Sequence, residues 1–157
     1  MADVSTTESV PSTRPPNTTT SRWISDQVFE TTSPKGGTFR MDGSGDNAQT
    51  PPEALLSALA GFTAVDVVEI LTKRRTPPTK LEIETVGHRV DTVPRKFRHI
   101  RLTYRIDGEE IERVHAERAI DLAVSKYCTV RDSLNPEILI EWTLVLNGAP
   151  TGEWKKG

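Results

Sequence analysis

The 157-residue sequence predicts an α+β fold with antiparallel sheets around one long apolar helix. Three observations carry that expectation. Residues 54–71 are apolar on nearly every helical face. Residues 98–106 alternate strictly between apolar and polar side chains, the period of a half-buried strand. Residues 109–127 place Ala116, Ala119, Ile120, Ala123, Val124 and Tyr127 on one helical face. The resulting order, β β α β β α β, suits hairpins interleaved with helices and not a doubly wound parallel sheet.

Residues 1–20 are mostly Ser, Thr and Pro, too polar to offset the cost of ordering, and read as a disordered tail. One domain is expected over residues 21–148, with a polar C-terminal tail at 149–157. Trp23 to Glu30 reads as one strand, Ser33 to Gly37 as a turn and Thr38 to Met41 as the returning strand. A loop rich in Gly and Asn follows, to Pro52. Pro51, Pro52 and Glu53 suit the start of the long helix, Lys73, Arg74 and Arg75 its end, and Pro77-Pro78 its stop. Its length could span a bilayer, but Asp66 and Glu69 near its end argue for a core helix with no membrane partner. A helix apolar all round in so small a domain calls for a sheet or a second subunit to wrap it.

Lys80 to Val90 and Arg98 to Ile106 form the next strand pair, with Gly87 permitting a bulge. Ile100, Leu102, Tyr104 and Ile106 face inward. Glu109, Glu110 and Glu112 favour the first turn of the second helix. Thr129 to Leu134 reads as a short helical turn or loop, and Ile138 to Leu146 as the last strand, closed by Asn147-Gly148.

The formal net charge of −2 argues against a nucleic-acid binder. There is one cysteine, Cys128, which excludes an intrachain disulfide and any CxxC site. No apolar leader is visible, so with a free thiol the expected location is cytoplasmic. His88, His99 and His115 lie too far apart for a local metal motif, and no metal or cofactor is implied. No GxGxxG, Walker A, HExxH or GxSxG pattern occurs. The one intrinsic nucleophile is Cys128. Lys126 and Arg131 favour its thiolate and the preceding helix C-terminus opposes it, while the bland alternative is a buried, inert thiol.

The segments Pro52–Gly61, Val65–Leu71 and Ser125–Val130, with Met41-Asp42-Gly43 and the closing strand Ile140–Leu144, resemble the OsmC/Ohr family over residues 22–148. The resemblance implies an intertwined homodimer whose long helices pack against sheets from both subunits. It implies a thiol-dependent peroxidase for organic hydroperoxides. There a first cysteine is oxidised to a sulfenic acid, a second condenses with it, and an external thiol resets the pair. The sequence departs from this pattern at the first cysteine, where Phe62 stands. Cys128 matches the second, resolving position. Arg40 is the candidate counterpart of the family's arginine, with Arg22 a weaker one. Glu53 is the candidate acid, one residue off the family spacing from Phe62.

Three expectations follow. The chain is a one-cysteine peroxidase acting through Cys128 with an external reductant, or a non-catalytic homodimer binding a small apolar ligand at its interface, or a dimer whose former site is filled by Phe62.

Overall fold

The computed structural model describes residues 12–157 and divides at Thr50 into two compact units. The expected tail falls partly outside the described residues. Residues 12–19 are exposed and carry no regular structure.

The first unit is a three-stranded antiparallel meander, β1 (Thr20–Ser25), β2 (Val28–Thr32) and β3 (Thr38–Asp42). Trp23 to Glu30 is therefore a hairpin and not the single strand expected. Trp23 opposes Phe29, and the chain reverses at Asp26 with φ +43°. Aspartate tolerates this left-handed conformation, so the turn needs no glycine to announce it. Beyond β3, the Asp42 carboxylate accepts hydrogen bonds from Ser44 N and Oγ (2.9 and 2.7 Å) and from Asn47 N and Nδ2 (3.1 and 3.0 Å). Led by the Ser44 hydroxyl, these bonds hold its pKa down at about 2.

The second unit holds the core. α1 (Pro51–Lys73) starts at the expected prolines and ends in the expected basic run. It ends in a left-handed Arg75 (φ +64°), with Thr76 N bonded to Leu71 O at 3.0 Å, so the cap closes before Pro77. By length and composition α1 could cross a bilayer. Here it packs on β4, α2 and the segment after α2. It buries one stripe, Leu59, Thr63, Val67 and Leu71, at the helical spacing of four. The opposite face of this apolar helix is open: Val65 is 66% exposed, and Leu55, Phe62 and Val68 are each more than a third exposed.

β4 (Lys80–Arg89) and β5 (Phe97–Asp107) pair antiparallel, with Ile83 opposite Tyr104. The register slips between His88 and Arg89, just past the glycine expected to mark it. Gly87 makes room for Phe97, since a Cβ there would stand 2.5 Å from the ring. Ile100, Leu102, Tyr104 and Ile106 face the core as the alternation requires.

α2 (Arg113–Leu122) begins four residues later than expected, because Ile111 N bonds Gly108 O in a turn and Glu112 takes the cap. A π-helical turn (Ala123–Tyr127) follows. Its wider winding breaks the 3.6-residue period, so Val124 stays buried while Tyr127 is half exposed instead of facing inward. α3 (Thr129–Asp132) is the expected short turn.

β6 (Leu139–Leu146) pairs with β5 in parallel, Leu102 opposite Trp142, an exception to the otherwise antiparallel sheets. The helical crossover of residues 108–138 returns the chain to the starting end of the sheet, which only a connection of this length allows. Asn147 and Gly148, both at positive φ, turn the chain back. The segment whose composition read as a polar tail adds β7 (Ala149–Pro150) and β8 (Lys155–Lys156) to β6.

Candidate functional site

Cys128 lies where the π-helical turn hands over to α3. The chain turns extended there (φ −75°, ψ 100°), and the thiol sulfur caps α3 by accepting the Arg131 backbone N–H at 3.2 Å. The side chain faces the core, 2% exposed. Burial pushes the thiol pKa up. The backbone N–H groups of Arg131 and Val130 oppose this, and the Asp66 and Asp132 carboxylates add to it. A thiol raised in this way is protonated near neutral pH, and the protonated form is a poor nucleophile.

The expected cationic help is elsewhere. The Arg131 guanidinium donates to Gly157 O at 3.1 Å and to Asp132 Oδ1 at 3.3 Å, and Lys126 lies over the Tyr127 ring. Cys128 also stands at two helix ends at once. The π-helical turn does end at Cys128, but the same residue starts α3, so N–H groups and not only carbonyls reach the sulfur.

α1 supplies the facing wall. Thr63 is fully buried, accepts the Tyr104 hydroxyl at 2.7 Å and donates to Ala60 O at 3.0 Å. Tyr104 comes from the inner face of β5, and its pKa is raised by burial, with the Cys128 charge adding to the effect. Three residues after Thr63, Asp66 has its pKa raised by burial and then by Glu69. Its Oδ2 is buried with no hydrogen-bond partner among the described residues. Sequence reasoning named Cys128 but missed this company. The signal available was an acid, Asp66, inside an apolar helix.

Phe62 stands on α1 four residues before Asp66, on the same side of the helix, and is 36% exposed. Its ring borders the open apolar face. An open trough of about 630 Å³ runs along Ala64, Val65, Val68 and Thr72 and is also lined by the Glu69–Lys73 ion pair (2.6 Å); Phe62 is not among its lining residues.

Glu53 is exposed in the first turn of α1. Thirteen residues separate it from Asp66, about 20 Å of helix, so one chain does not bring Glu53 to the Asp66–Cys128 cluster. Arg40, on β3 in the first unit, pairs with Glu30 Oε2 at 3.0 Å. Arg22, the weaker counterpart, is opposite Glu30 on β1.

The histidines do not converge. His99 bonds Glu141 at 2.7 Å and stacks on His88 with centroids 5.6 Å apart, while His115 lies near Glu112 on α2. Among the described residues no group of three or more His, Cys, Asp or Glu side chains could hold a metal.

Comparison with known proteins adds independent observations. Residues 43–143 match the family of OsmC-like proteins. The chain is 37% identical over 110 residues to protein YhfA of Escherichia coli K12, covering 69% of this chain and 82% of that one. An OsmC-like protein of Mycoplasma pneumoniae superposes with a TM-score of 0.72 at 19% identity, over 84% of this chain and 97% of that one. The organic hydroperoxide resistance protein OhrB of Bacillus subtilis superposes with a TM-score of 0.54 at 15% identity, over 83% and 97%.

Proposed function

The chain belongs to the OsmC-like protein family, and on that premise we propose that it acts as a cytoplasmic homodimer holding a small apolar ligand, without hydroperoxide turnover. One observation carries the proposal: the open apolar face of α1, where Val65 and Val68 line the 630 Å³ trough and Phe62 is part-exposed on the same helix. Apolar side chains gain about 1.5–3 kcal/mol each on full burial, so such a face favours a cover. A second copy of this helix would cover the face and convert the open trough into a closed pocket, the kind of wall small ligands use. Among the described residues β4 is an edge strand of its sheet.

The absence of turnover is argued from chemistry. A phenyl ring at Phe62 cannot attack a peroxide oxygen. The Cys128 thiol is covered and held protonated, so neither half of a thiol-peroxidase pair is ready. The reading with Cys128 as the sole peroxidatic thiol, using an external thiol reductant, draws on the family resemblance of the sequence, and it needs an exposed thiolate where Cys128 is buried.

The test mixes purified, reduced protein with cumene hydroperoxide and a dithiol reductant, and follows peroxide loss together with the intact mass. A long-chain fatty acid is titrated in parallel against protein fluorescence. The expected result is peroxide loss no faster than without protein, an unchanged mass and saturable fatty-acid binding. Rapid peroxide loss with a one-oxygen mass gain would replace this proposal with the one-cysteine peroxidase. Failure of the fatty acid to bind, with no turnover, would reject the ligand and leave a dimer with a filled site.

A further inference from the structure

We propose that residues 151–157 form a latch that holds α3 and the π-helical turn against β6, and that opening it unseals the core beside Cys128. The proposal rests on Cys128 being a sealed thiol, and its test separates the two.

The segment touches β6, α2, β5 and α3. Lys155 and Lys156 pair along β6 opposite Trp142 and Glu141. Lys155 Nζ reaches across to Glu117 Oε2 on α2 at 2.8 Å and lies 5.3 Å from the centre of the Trp142 ring. The Trp154 ring receives the Arg101 guanidinium of β5 at 4.6 Å. Gly157 then closes the run. Its N–H donates to Ile140 O at 2.9 Å, and its carbonyl accepts from Arg131 Nη2 at 3.1 Å. Arg131 is the residue whose backbone N–H caps the Cys128 sulfur. One seven-residue run thus reaches, through the Arg131 side chain, the helix that the Cys128 sulfur caps.

The end of the run is fitted to the core. A Cβ on Gly157 would stand 2.5 Å from Val124 Cγ1 and 3.5 Å from Ile140 Cγ2. Val124 is fully buried and lies one turn before Cys128. The ties themselves are one part-exposed ion pair, two cation–π contacts, one two-residue stretch of pairing and a few hydrogen bonds at Thr151, Glu153 and Gly157. Contacts of this kind are weak singly. Such a segment opens at lower free energy than the core it covers. The latch is therefore a local switch whose release leaves the sheet standing.

The test uses the full chain and two variants. Gly157→Leu drives the end of the latch off Val124, and Lys155→Glu reverses the charge facing Glu117. The reaction of Cys128 with Ellman's reagent is timed under native conditions, with hydrogen exchange of the backbone over residues 123–132. The expected result is a slow wild-type thiol, and in both variants a native far-UV spectrum, a rate at least tenfold higher and faster exchange in α3 and the π-helical turn. Variants that keep the native spectrum with wild-type rate and exchange would overturn the latch. Should Gly157→Leu lose the native spectrum, Lys155→Glu decides alone by the same readings. A wild-type thiol reacting as fast as free cysteine would overturn the sealed-thiol reading, and exchange would still decide the latch.

Discussion

The two faces of α1 have nearly the same chemistry and opposite fates. On one, Leu59, Thr63, Val67 and Leu71 are fully buried against the sheet and the crossover helices. On the other, Phe62, Val65 and Val68 meet solvent in the isolated chain. The first face is fixed by polar detail as well as by packing, through the Tyr104–Thr63–Ala60 chain of hydrogen bonds. On the second, the Glu69–Lys73 pair is a surface tie. Burial along a helix thus follows what the rest of the chain can cover, and the remainder stays open in the single chain.

The largest expected effects test the covered face. Leu59→Ala removes a fully buried side chain and leaves a cavity, and should cost about 2–5 kcal/mol in urea unfolding. Val65→Ala on the open face should change the stability of the isolated chain by less than about 0.5 kcal/mol, the usual range for surface sites. Equal losses at both positions would mean that the faces do not differ as described. Thr63→Val should cost about 1–3 kcal/mol, because the buried Tyr104 hydroxyl loses its acceptor. Thr63→Ser, which keeps the acceptor, should recover part of that loss.

A smaller effect concerns Cys128. Asp66→Asn removes a carboxylate that raises the thiol pKa, so the pH midpoint of thiolate formation, followed by absorbance at 240 nm, should move down. An unchanged midpoint would separate Asp66 from the thiol. The smallest concerns the first unit. Asp42 has its folded pKa lowered from 3.8 to about 2, so its contribution is complete above 3.8 and is lost as pH falls through 2. Amide exchange at Ser44 and Asn47 should accelerate over that window, and Asp42→Asn should remove the pH dependence. Persistence of the dependence in Asp42→Asn would assign it to another group.

Much of the fold was legible because periodicity survives in the sequence. The alternation of β5 and the repeat of α2 each express one face against one core. The first hairpin was not legible, since its turn uses a left-handed aspartate and the strands on both sides continue one alternation. The parallel β5–β6 pairing was hidden for a different reason: alternation records which side chains face inward and carries no strand direction. At the candidate site, Cys128 stood out as the only thiol. Its surroundings come from four elements, so the approach of Asp66, Thr63 and Tyr104 is a product of packing and leaves no mark in sequence spacing. The end of α2 shows the same limit, because a π-helical turn shifts Tyr127 out of a face that the 3.6-residue period had given it.

The open face of α1 gives the most direct test, the mass of the native protein in solution by light scattering at micromolar concentration. A homodimer built across this helix should have twice the 17.4 kDa chain mass, and Val65→Glu should bring it to the single-chain value without loss of helical signal. A wild-type protein with a single-chain mass and a full native spectrum would contradict the covered-face proposal. A dimer unmoved by Val65→Glu would place the interface elsewhere.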